Sequence, residues 1–377
     1  MKKICFLFFI LFISRVSALD LTSYSKSAIM IEPTTKTIIY ELNKDDRLAP
    51  ASMTKLMTML IIMENIDNGN INLNDFVSIS ANAASMGGSQ VFLEANSKLK
   101  VEQLLKGIAI ASGNDAAVAM AEHIAGNSTE FVNMMNNKVK DLGLKNTHFV
   151  NVHGLDADNH YSSAYDMAVI AMELLKHKEI LEYTSLYEDY LEKPDGTKTW
   201  LVNTNKLVRF YEGVDGLKTG YTSKAGYCLT STAIKNNIRF ITVVMGVDTS
   251  EHRSLDTTSM LNYGFSNYKL SRIVSKNEVL GSLSVKKGKI EKVNYYVKED
   301  VTDLLKNSED KKYSYNINTY TISAPVYKND VVGDIEIVDN TGKVIRKVEL
   351  IVKDDIEKHS FISLFVKMYR NIINGYL

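Results

Sequence analysis

Apolar residues recur every three or four positions through much of the first 180 residues, and this is the spacing of buried helices. The first such run extends from Met53 to Ile61 and predicts a helix whose first turn holds Ser52. Two more runs lie within residues 101–125, where residues 112–114 separate them as a short loop. Further helices are predicted at residues 129–143 and 163–177.

Runs of strand-forming residues flank these helices and predict two hairpins. The first hairpin turns at residues 33–36 and the second at residues 236–237, where two asparagines are adjacent. Helices between flanking strands predict an α+β domain over residues 19–267, with an antiparallel sheet flanked by helices. The strands are expected at residues 28–31, 37–41, 227–234 and 238–247.

After Tyr268 the pattern changes to short alternating runs separated by Gly, Asn and Asp. This pattern predicts a small all-β domain over residues 268–352, with a hairpin turn at residues 339–342. No cluster of titratable residues in this part suggests catalysis. The runs lie at residues 293–297, 313–322, 331–338 and 344–352.

Residues 353–377 combine an apolar helical face with basic residues elsewhere, namely Lys358, Lys367 and Arg370. An amphipathic helix in a membrane interface has this pattern, although a helix docked on the protein's own surface also has one apolar face. We expect a membrane anchor, because the segment follows a complete β-domain and a charged stretch. The apolar face comprises Phe361, Leu364, Phe365, Met368, Tyr369, Ile372, Ile373 and Tyr376.

The first 18 residues have the pattern of a secretory signal peptide. Two lysines precede an apolar run at residues 4–13, which is shorter than the roughly 20 residues needed to span a bilayer. Residues 16–18 form a small-residue cleavage site. We therefore expect export, and a mature chain in which Cys228 has no cysteine to pair with.

Composition is that of a globular protein, with 45% hydrophobic and 23% charged residues, which is enough apolar material for a sizeable core. Lys+Arg and Asp+Glu number 44 each, so the net charge gives no reason to expect nucleic acid as a partner. We also expect no cofactor and no metal.

Ser52 and Lys55 stand three positions apart at a helix start, which puts them on one face with Cβ atoms roughly 5–6 Å apart. A serine needs a base to take its proton, and a lysine is such a base when burial lowers its pKa. The helix N-terminus adds positive potential for an anionic intermediate. Pro50 and Ala51 before it, and the apolar helix after it, distinguish Ser52 from the other S-x-x-K copies. Such copies include those that begin at Ser23, Ser97, Ser284 and Ser308.

Two more short motifs carry candidate chemistry. Ser112 and Asn114 would place a proton-relaying hydroxyl and a peptide-binding amide on a loop, although helix capping alone explains the same residue types. The sequence Lys218-Thr219-Gly220 is expected to open the strand pair at residues 227–247. It places a lysine and a hydroxyl, both suited to a carboxylate, beside a glycine that lets another backbone approach. Each motif alone is weak evidence of a catalytic function, and the order of the motifs along the chain is the stronger evidence.

Ser-x-x-Lys, Ser-x-Asn and Lys-Thr-Gly in this order are typical of penicillin-binding proteins and serine β-lactamases. Over its whole length the chain resembles the low-molecular-mass penicillin-binding proteins of the serine D-alanyl-D-alanine carboxypeptidase family. The resemblance implies a transpeptidase-like fold with the active site at the sheet edge near Lys218. It also implies that the protein is located on the outer face of the cytoplasmic membrane. It also implies a peptidoglycan stem peptide ending in D-Ala-D-Ala as substrate, and covalent inhibition by β-lactams. The local matches are residues 49–55, 111–117, 153–156 and 213–220.

The resemblance implies a catalytic role for each matching residue. Ser52 would attack the penultimate D-Ala carbonyl, and Lys55 would take the serine proton. Ser112 together with Lys218 would help to pass a proton to the leaving amine. Asn114 would bind the amide of the stem peptide.

For substrate binding, the resemblance implies that Lys218 and Thr219 hold the terminal carboxylate, with Gly220 beside them. The backbone N–H groups of the nucleophile and of Tyr221 would form the oxyanion hole. Many relatives have His where this chain has Tyr221, which preserves a backbone role and leaves any side-chain role open. Arg253 falls where relatives carry an arginine near the carboxylate pocket.

Other functions share parts of this pattern. A β-lactamase has the three motifs, but class A enzymes need a glutamate in an E-x-x-L-N setting, which is missing between Ser112 and Lys218. D,D-endopeptidase activity stays open, as does a catalytically silent cell-wall-binding scaffold. A metal peptidase would need a His/Asp/His set, and no H-E-x-x-H pair is present. The residues that could suggest one are His153, Asp156, Asp158 and His160.

Overall fold

The computed structural model describes residues 20–193 and 195–374. The expected signal peptide at residues 1–18, and Tyr376 of the C-terminal helix, lie outside these ranges. The described chain forms two compact units. The first contains residues 20–31, 38–233 and 241–263, and the second contains residues 32–37, 234–240 and 264–374.

The helices and strands are numbered in chain order. The helices are α1 (Lys55–Asp67), α2 (Ala81–Ala84), α3 (Val101–Ala109), α4 (Asn114–Ala125), α5 (Ser128–Asp141), α6 (Ala164–Leu174), α7 (Leu181–Thr184), α8 (Leu207–Phe210), α9 (Ser250–Asn267) and α10 (Phe361–Ile373). The strands are β1 (Ser27–Glu32), β2 (Thr37–Leu42), β3 (Phe76–Ser78), β4 (Lys98–Lys100), β5 (Glu188–Glu192), β6 (Lys198–Val202), β7 (Val214–Thr222), β8 (Gly226–Lys235), β9 (Ile238–Val247), β10 (Tyr268–Val274), β11 (Gly281–Lys286), β12 (Lys292–Val297), β13 (Val301–Lys306), β14 (Tyr313–Thr319), β15 (Ile322–Ser323), β16 (Val331–Asp339) and β17 (Val344–Val352).

The largest sheet of the first unit has the strand order β2-β1-β9-β8-β7. β1 pairs antiparallel with β9, and β7 with β8. The turn between β8 and β9 uses Asn236 and Asn237 at φ +50° and +62°, the left-handed conformation that asparagine tolerates and tight hairpins need. The expected α+β fold with an antiparallel sheet and flanking helices is confirmed.

Helix α1 lies at the centre of the first unit, since every side chain from Lys55 to Met63 is buried. A helix that is buried all round needs apolar residues on all faces, and α1 has them except at Lys55 and Thr58. A buried amine must find its hydrogen-bond partners inside the protein. The fold therefore forces Lys55 into a network of internal contacts.

Three expectations need correction. Ser52 lies in a 3-10 turn, Ala51–Thr54, that precedes α1, because Ala51 at φ +47° cannot extend an α-helix backwards. The Lys-Thr-Gly motif occupies its own strand, β7, rather than opening the β8–β9 pair. The C-terminal helix does not start at residue 353 but at Phe361, where Ser360 caps it by accepting a hydrogen bond from the backbone N–H of Ser363.

The second unit consists mainly of strands, as the alternating pattern predicts. Its larger sheet has the order β14-β16-β17-β12-β11-β15. The predicted hairpin is present between β16 and β17, where Asp339 accepts hydrogen bonds from the backbone of Thr341 and Lys343. Buried aliphatic side chains, including Val297, Ile335 and Leu350, form a core separate from that of the first unit.

The apolar side chains that the structure describes on α10 are exposed. Phe361, Ile362 and Phe365 expose 85%, 75% and 65% of their surface, so other described residues cover only the smaller part of each side chain. Along residues 20–193 and 195–374, no helix combines the length and the apolar character that crossing a bilayer requires.

Candidate active site

The amine of Lys55 lies at the centre of the candidate site. Its Nζ is 3.1 Å from Ser52 Oγ, 2.6 Å from Asn114 Oδ1 and 2.8 Å from the backbone oxygen of His153. A neutral amine has two N–H donors and one lone pair. The amide oxygen of Asn114 and the carbonyl of His153 take the two donors, which leaves the lone pair for the hydroxyl of Ser52.

Burial lowers the pKa of Lys55 well below its usual value of 10.5, and the nearby charge of Lys218 lowers it further. The carboxylate of Asp115 acts in the opposite direction with a smaller effect. The lowered pKa favours the neutral amine, which is the form that can accept a proton from serine.

Two glycines hold the turn that carries Ser52 from opposite sides. A Cβ on Gly154, which lies at φ +93°, would be 1.9 Å from the backbone oxygen of Ala51. A Cβ on Gly220 would be 2.8 Å from the oxygen of Pro50 and 3.2 Å from the nitrogen of Ser52. Only glycine permits such close approach, so the backbone N–H of Ser52 lies beside the edge strand β7.

Lys218 and Thr219 lie next to each other on β7. Lys218 is fully buried, and burial together with the charge of Arg253 lowers its pKa to about 7. Thr219 donates its hydroxyl proton to Thr204 Oγ1 at 2.7 Å. The Lys218 amine donates to the backbone oxygen of Thr219 at 3.2 Å, so it lies close to the residue that carries the hydroxyl, and this part of the site suits an anionic group.

Ser112 precedes α4 in a left-handed conformation, φ +64°, and is 3% exposed. Its hydroxyl has no hydrogen-bond partner among the described residues. Asn114, the first residue of α4, donates from Nδ2 to the carbonyl of Gly87 at 2.7 Å, which fixes its Oδ1 toward Lys55. Strain of this kind at a buried serine costs about 1–3 kcal/mol and is common at functional sites.

Tyr221 and Arg253 are linked through Tyr227. The ring of Tyr221 packs against that of Tyr227 at a centroid distance of 4.4 Å, and the Arg253 guanidinium lies 5.8 Å from the Tyr227 centroid. Residues two apart on a strand share a face, so Tyr221 follows Thr219 on the same side of β7. Arg253 is buried, and its charge contributes to the lowered pKa of Lys218.

The histidines that could suggest a metal have structural partners instead. His160 accepts a hydrogen bond from the N–H of Val150 at Nδ1, so its Nε2 carries the proton and donates to Thr54 Oγ1 at 2.8 Å. Burial lowers the pKa of His160 to about 4, which keeps it neutral. Asp156 accepts a hydrogen bond from Thr222 at 2.8 Å. These contacts tie the loop after Val150 to the Ser52 turn and to β7.

Four supporting residues had no assigned role in the sequence-based hypothesis. The carbonyl of His153 positions Lys55, and Thr204 positions the hydroxyl of Thr219. Asp115 accepts backbone hydrogen bonds from Val91, Leu93 and Ala116, which anchors the start of α4. Gly154 and Asp115 lie within local matches to the family, and these matches are the sequence signal that could have identified them. No sequence signal points to Thr204.

Comparison with protein-family profiles gives two matches. The profile described as D-alanyl-D-alanine carboxypeptidase matches residues 14–249. The profile described as penicillin-binding protein 5, C-terminal domain, matches residues 268–358.

Individual proteins show the same similarity. D-alanyl-D-alanine carboxypeptidase DacF of Bacillus subtilis is 48% identical over 349 residues, which are 91% of this chain and 89% of the relative. DacA of Escherichia coli is 36% identical over 89% of this chain and 85% of its own. The crystal structure of penicillin-binding protein 5 from Haemophilus influenzae has a TM-score of 0.72 and 33% identity, and covers 89% of this chain and 98% of that one. PBP3 from Streptococcus pneumoniae has a TM-score of 0.74 and 29% identity over 89% of this chain and 99% of its own.

Proposed function

The chain belongs to the D-alanyl-D-alanine carboxypeptidase family, and we propose that it uses Ser52 to remove the terminal D-alanine from peptidoglycan stem peptides. The observation that carries this proposal is the contact between a buried, pKa-lowered amine and a serine hydroxyl, 3.1 Å apart. A base in hydrogen-bond reach of a nucleophile is the arrangement that acyl transfer needs.

Acylation begins when the terminal carboxylate lies against Lys218 and Thr219. Ser52 Oγ attacks the carbonyl of the penultimate D-Ala while Lys55 takes the hydroxyl proton, and the N–H groups of Ser52 and Tyr221 stabilise the oxyanion. The C–N bond then breaks, and the leaving amine gains a proton from Lys55 through Ser112. D-Ala leaves, and the shortened peptide stays as an ester on the serine.

Deacylation reuses the same residues. Lys55, neutral again, takes a proton from a water molecule as its oxygen attacks the ester carbonyl. The ester C–O bond breaks, and Ser52 recovers its proton from the lysine. The shortened peptide leaves with a new terminal carboxylate, and the site returns to its starting state.

β-Lactams enter the same pathway as covalent inhibitors. The serine opens the lactam amide and forms an ester, but the nitrogen stays attached to the acyl group and cannot diffuse away. One structural relative, penicillin-binding protein D2 from Listeria monocytogenes, is described in an ampicillin-bound form, with 31% identity and a TM-score of 0.55. The Lys218 and Thr219 pair would hold the drug's carboxylate as it holds that of the peptide.

We also propose where the protein works. Residues 1–18 would direct export, residues 19–267 would form the catalytic domain and residues 268–352 the β-domain. Residues 353–377 would anchor the protein peripherally on the outer face of the cytoplasmic membrane. The exposed apolar side chains of α10, with Arg370 in its last turn, support the anchor, since an interfacial helix buries such a face in the headgroup region.

The direct test is release of D-Ala from a peptide ending in D-Ala-D-Ala by the purified protein. We expect release by the wild type and none by Ser52→Ala. Ser97→Ala is the matched control, because Ser97 begins another S-x-x-K sequence and its hydroxyl donates to the backbone oxygen of Glu94 at 2.6 Å. No release from a folded wild-type protein, or equal release by Ser52→Ala, would refute the proposal.

A further inference from the structure

A cavity of about 280 Å³ lies in the first unit beside the catalytic contacts. Side chains of α4 and α5 and residues 150–153 line it, and Met86 lies on another side. Small-molecule sites begin at roughly 300 Å³, so this cavity has room for a small ligand or for one ring of a longer chain. The roles assigned to the catalytic residues do not use it.

Two walls of the cavity are backbone segments that hold catalytic groups. His153 lines the cavity, and its carbonyl accepts the hydrogen bond from Lys55 at 2.8 Å. Met86 also lines it, and the next carbonyl along the chain, that of Gly87, accepts the hydrogen bond from Asn114 at 2.7 Å. A ligand that moves or immobilises either segment would therefore change the position of Lys55 or of Asn114.

The helices of the catalytic residues also contact the cavity. Val152 lines it, and its carbonyl accepts a hydrogen bond from Thr58 on α1 at 2.7 Å, one turn after Lys55. Val118 lines it from α4, one turn after Asn114. The cavity and the site are thus connected in two ways, through the carbonyls of His153 and Gly87 and through the helices α1 and α4.

The lining is electrically neutral. Among the described lining residues there is no Asp, Glu, Lys or Arg. Burial lowers the pKa of His153 to about 4, so it is uncharged near neutral pH. A ligand with a full charge would lose hydration here and find no opposite charge among the lining side chains. The stem peptide, which carries free carboxylates, does not fit such a lining.

The polar groups that remain available suit hydroxyl and amide groups. Asn133 donates from Nδ2 to Glu130 at 3.3 Å, which leaves its Oδ1 as an acceptor. The hydroxyl of Ser128 is buried and has no partner among the described residues, so it must rotate about the Cα–Cβ bond before it can bind a ligand. Valines and Met86 supply apolar surface between these polar groups.

We propose that this cavity binds an N-acetylated hexosamine ring of a glycan strand, and that the bound sugar changes the acylation rate of Ser52 through the carbonyls of His153 and Gly87. Such a ring is neutral, carries hydroxyl and acetamido groups and has an apolar face, which matches the lining. The choice of this sugar rests on the proposed function, because peptidoglycan stem peptides are attached to N-acetylated glycan.

Binding can be measured with the full-length protein and N,N′-diacetylchitobiose by saturation-transfer NMR. We expect saturable binding to the wild type, binding weakened about threefold or more in Asn133→Leu, and no binding to Thr129→Trp, whose indole would fill the cavity. Asn137→Leu is the matched control, since Asn137 is exposed one turn further along α5 and does not line the cavity. Absence of binding to the wild type, or equal binding by all variants, would overturn the site.

Coupling can be measured as the rate of acylation by a fluorescent penicillin, with and without the saturating disaccharide. We expect the sugar to change the rate about fivefold in the wild type and in Asn137→Leu, and to cause no change in Thr129→Trp relative to that variant's own rate without sugar. Binding without any rate change would overturn the coupling. D-Ala release by the wild type, measured without sugar, separates this proposal from the proposed function. If no D-Ala is released, the proposed function is refuted, and the binding experiment still tests the cavity. If D-Ala is released but the sugar does not bind, only the cavity proposal is refuted.

Discussion

Lysine has opposite environments in the two units of this protein. In the first unit, Lys55 and Lys218 are fully buried, and burial lowers the pKa of both amines. In the second unit, the Lys298 and Lys347 side chains are 59% and 57% exposed, and hydrogen-bonded carboxylates raise the pKa of both. The same side chain is a proton acceptor where it is desolvated and an ordinary surface cation where it is not.

The buried lysines lie in the unit that contains the candidate active site, and the exposed lysines lie in the unit that contains none of the candidate catalytic residues. The first unit bears the free-energy cost of two buried amines, which their hydrogen bonds to Asn114 and to the carbonyls of His153 and Thr219 partly offset. The second unit keeps its charges on the surface in ion pairs that contribute little to stability. We therefore expect substitutions of buried and exposed lysines to change activity by different amounts and to change stability by different amounts and in different directions.

The largest effect is expected from Lys55→Met. Without the base, kcat/KM for D-Ala release should fall about 10²–10⁴-fold, because general-base catalysis contributes this much. The measurement is steady-state release of D-Ala, with circular dichroism to confirm folding. Lys298→Met, which removes an exposed lysine of the second unit, is the control and should retain full activity. Activity of Lys55→Met within about tenfold of the wild type would break the comparison.

The next effect is expected from Lys218→Met. Loss of the buried cation should lower kcat/KM about 30-fold or more, mainly through KM, because the terminal carboxylate loses its charged partner. A substrate whose terminal carboxylate is amidated provides the specific readout. The wild type should prefer the carboxylate over the amide strongly, and Lys218→Met should lose that preference. An unchanged preference would assign the carboxylate to other residues.

The pH dependence of stability sharpens the contrast between the units. The pKa of Lys218 is about 7 when folded, against 10.5 for an unperturbed lysine, so the unfolded chain binds more protons between these values. The wild type's free energy of unfolding relative to Lys218→Met should therefore rise with pH from 7 to 10.5, by at most about 1.4 kcal/mol per unit. Lys218→Met should be the more stable protein, by the largest margin at and below pH 7. Urea unfolding at a series of pH values tests this, and a margin that grows with pH would contradict it.

The smallest effect is expected from Lys298→Met. Its ion pair with Glu349 has two exposed side chains, so solvent screens the interaction. Folding raises the pKa of Lys298, so the pair's contribution is present below the unfolded pKa and is lost as the pH rises through the folded pKa. The urea midpoint at pH 7 should not change measurably. A clear loss of stability at pH 7 would show that ion pairs on the surface of the second unit contribute to its stability.

Periodicity predicted most of the fold because most elements bury an apolar face. α1, α3 and the β16–β17 hairpin follow their sequence patterns closely. Helix α9 was not predicted because much of its buried face is polar. Asp256 on that face accepts hydrogen bonds from the backbone of Ser23 and Tyr24, a contact between residues far apart in the sequence that periodicity does not report.

The site was partly predictable for a similar reason. Ser52 and Lys55 are three residues apart, so helical geometry alone predicts their contact. The contact between Lys55 and Asn114 needed the family resemblance, because it depends on how α1 and α4 pack. The carbonyl of His153 contributes through the backbone, which any residue type provides, so side-chain identity gives no direct signal for it. The position of a carbonyl becomes visible only in three dimensions.

The central claim is that Lys55, as a buried neutral amine, makes Ser52 the nucleophile. Mass spectrometry of the protein after reaction with a penicillin tests it most directly, because the acyl group marks the reacting atom. We predict one penicilloyl group per wild-type chain, located by peptide mapping on Ser52, and none on Ser52→Ala, with formation slowed about 10²-fold or more in Lys55→Met. An adduct on another residue, or an unchanged rate in Lys55→Met, would contradict the account.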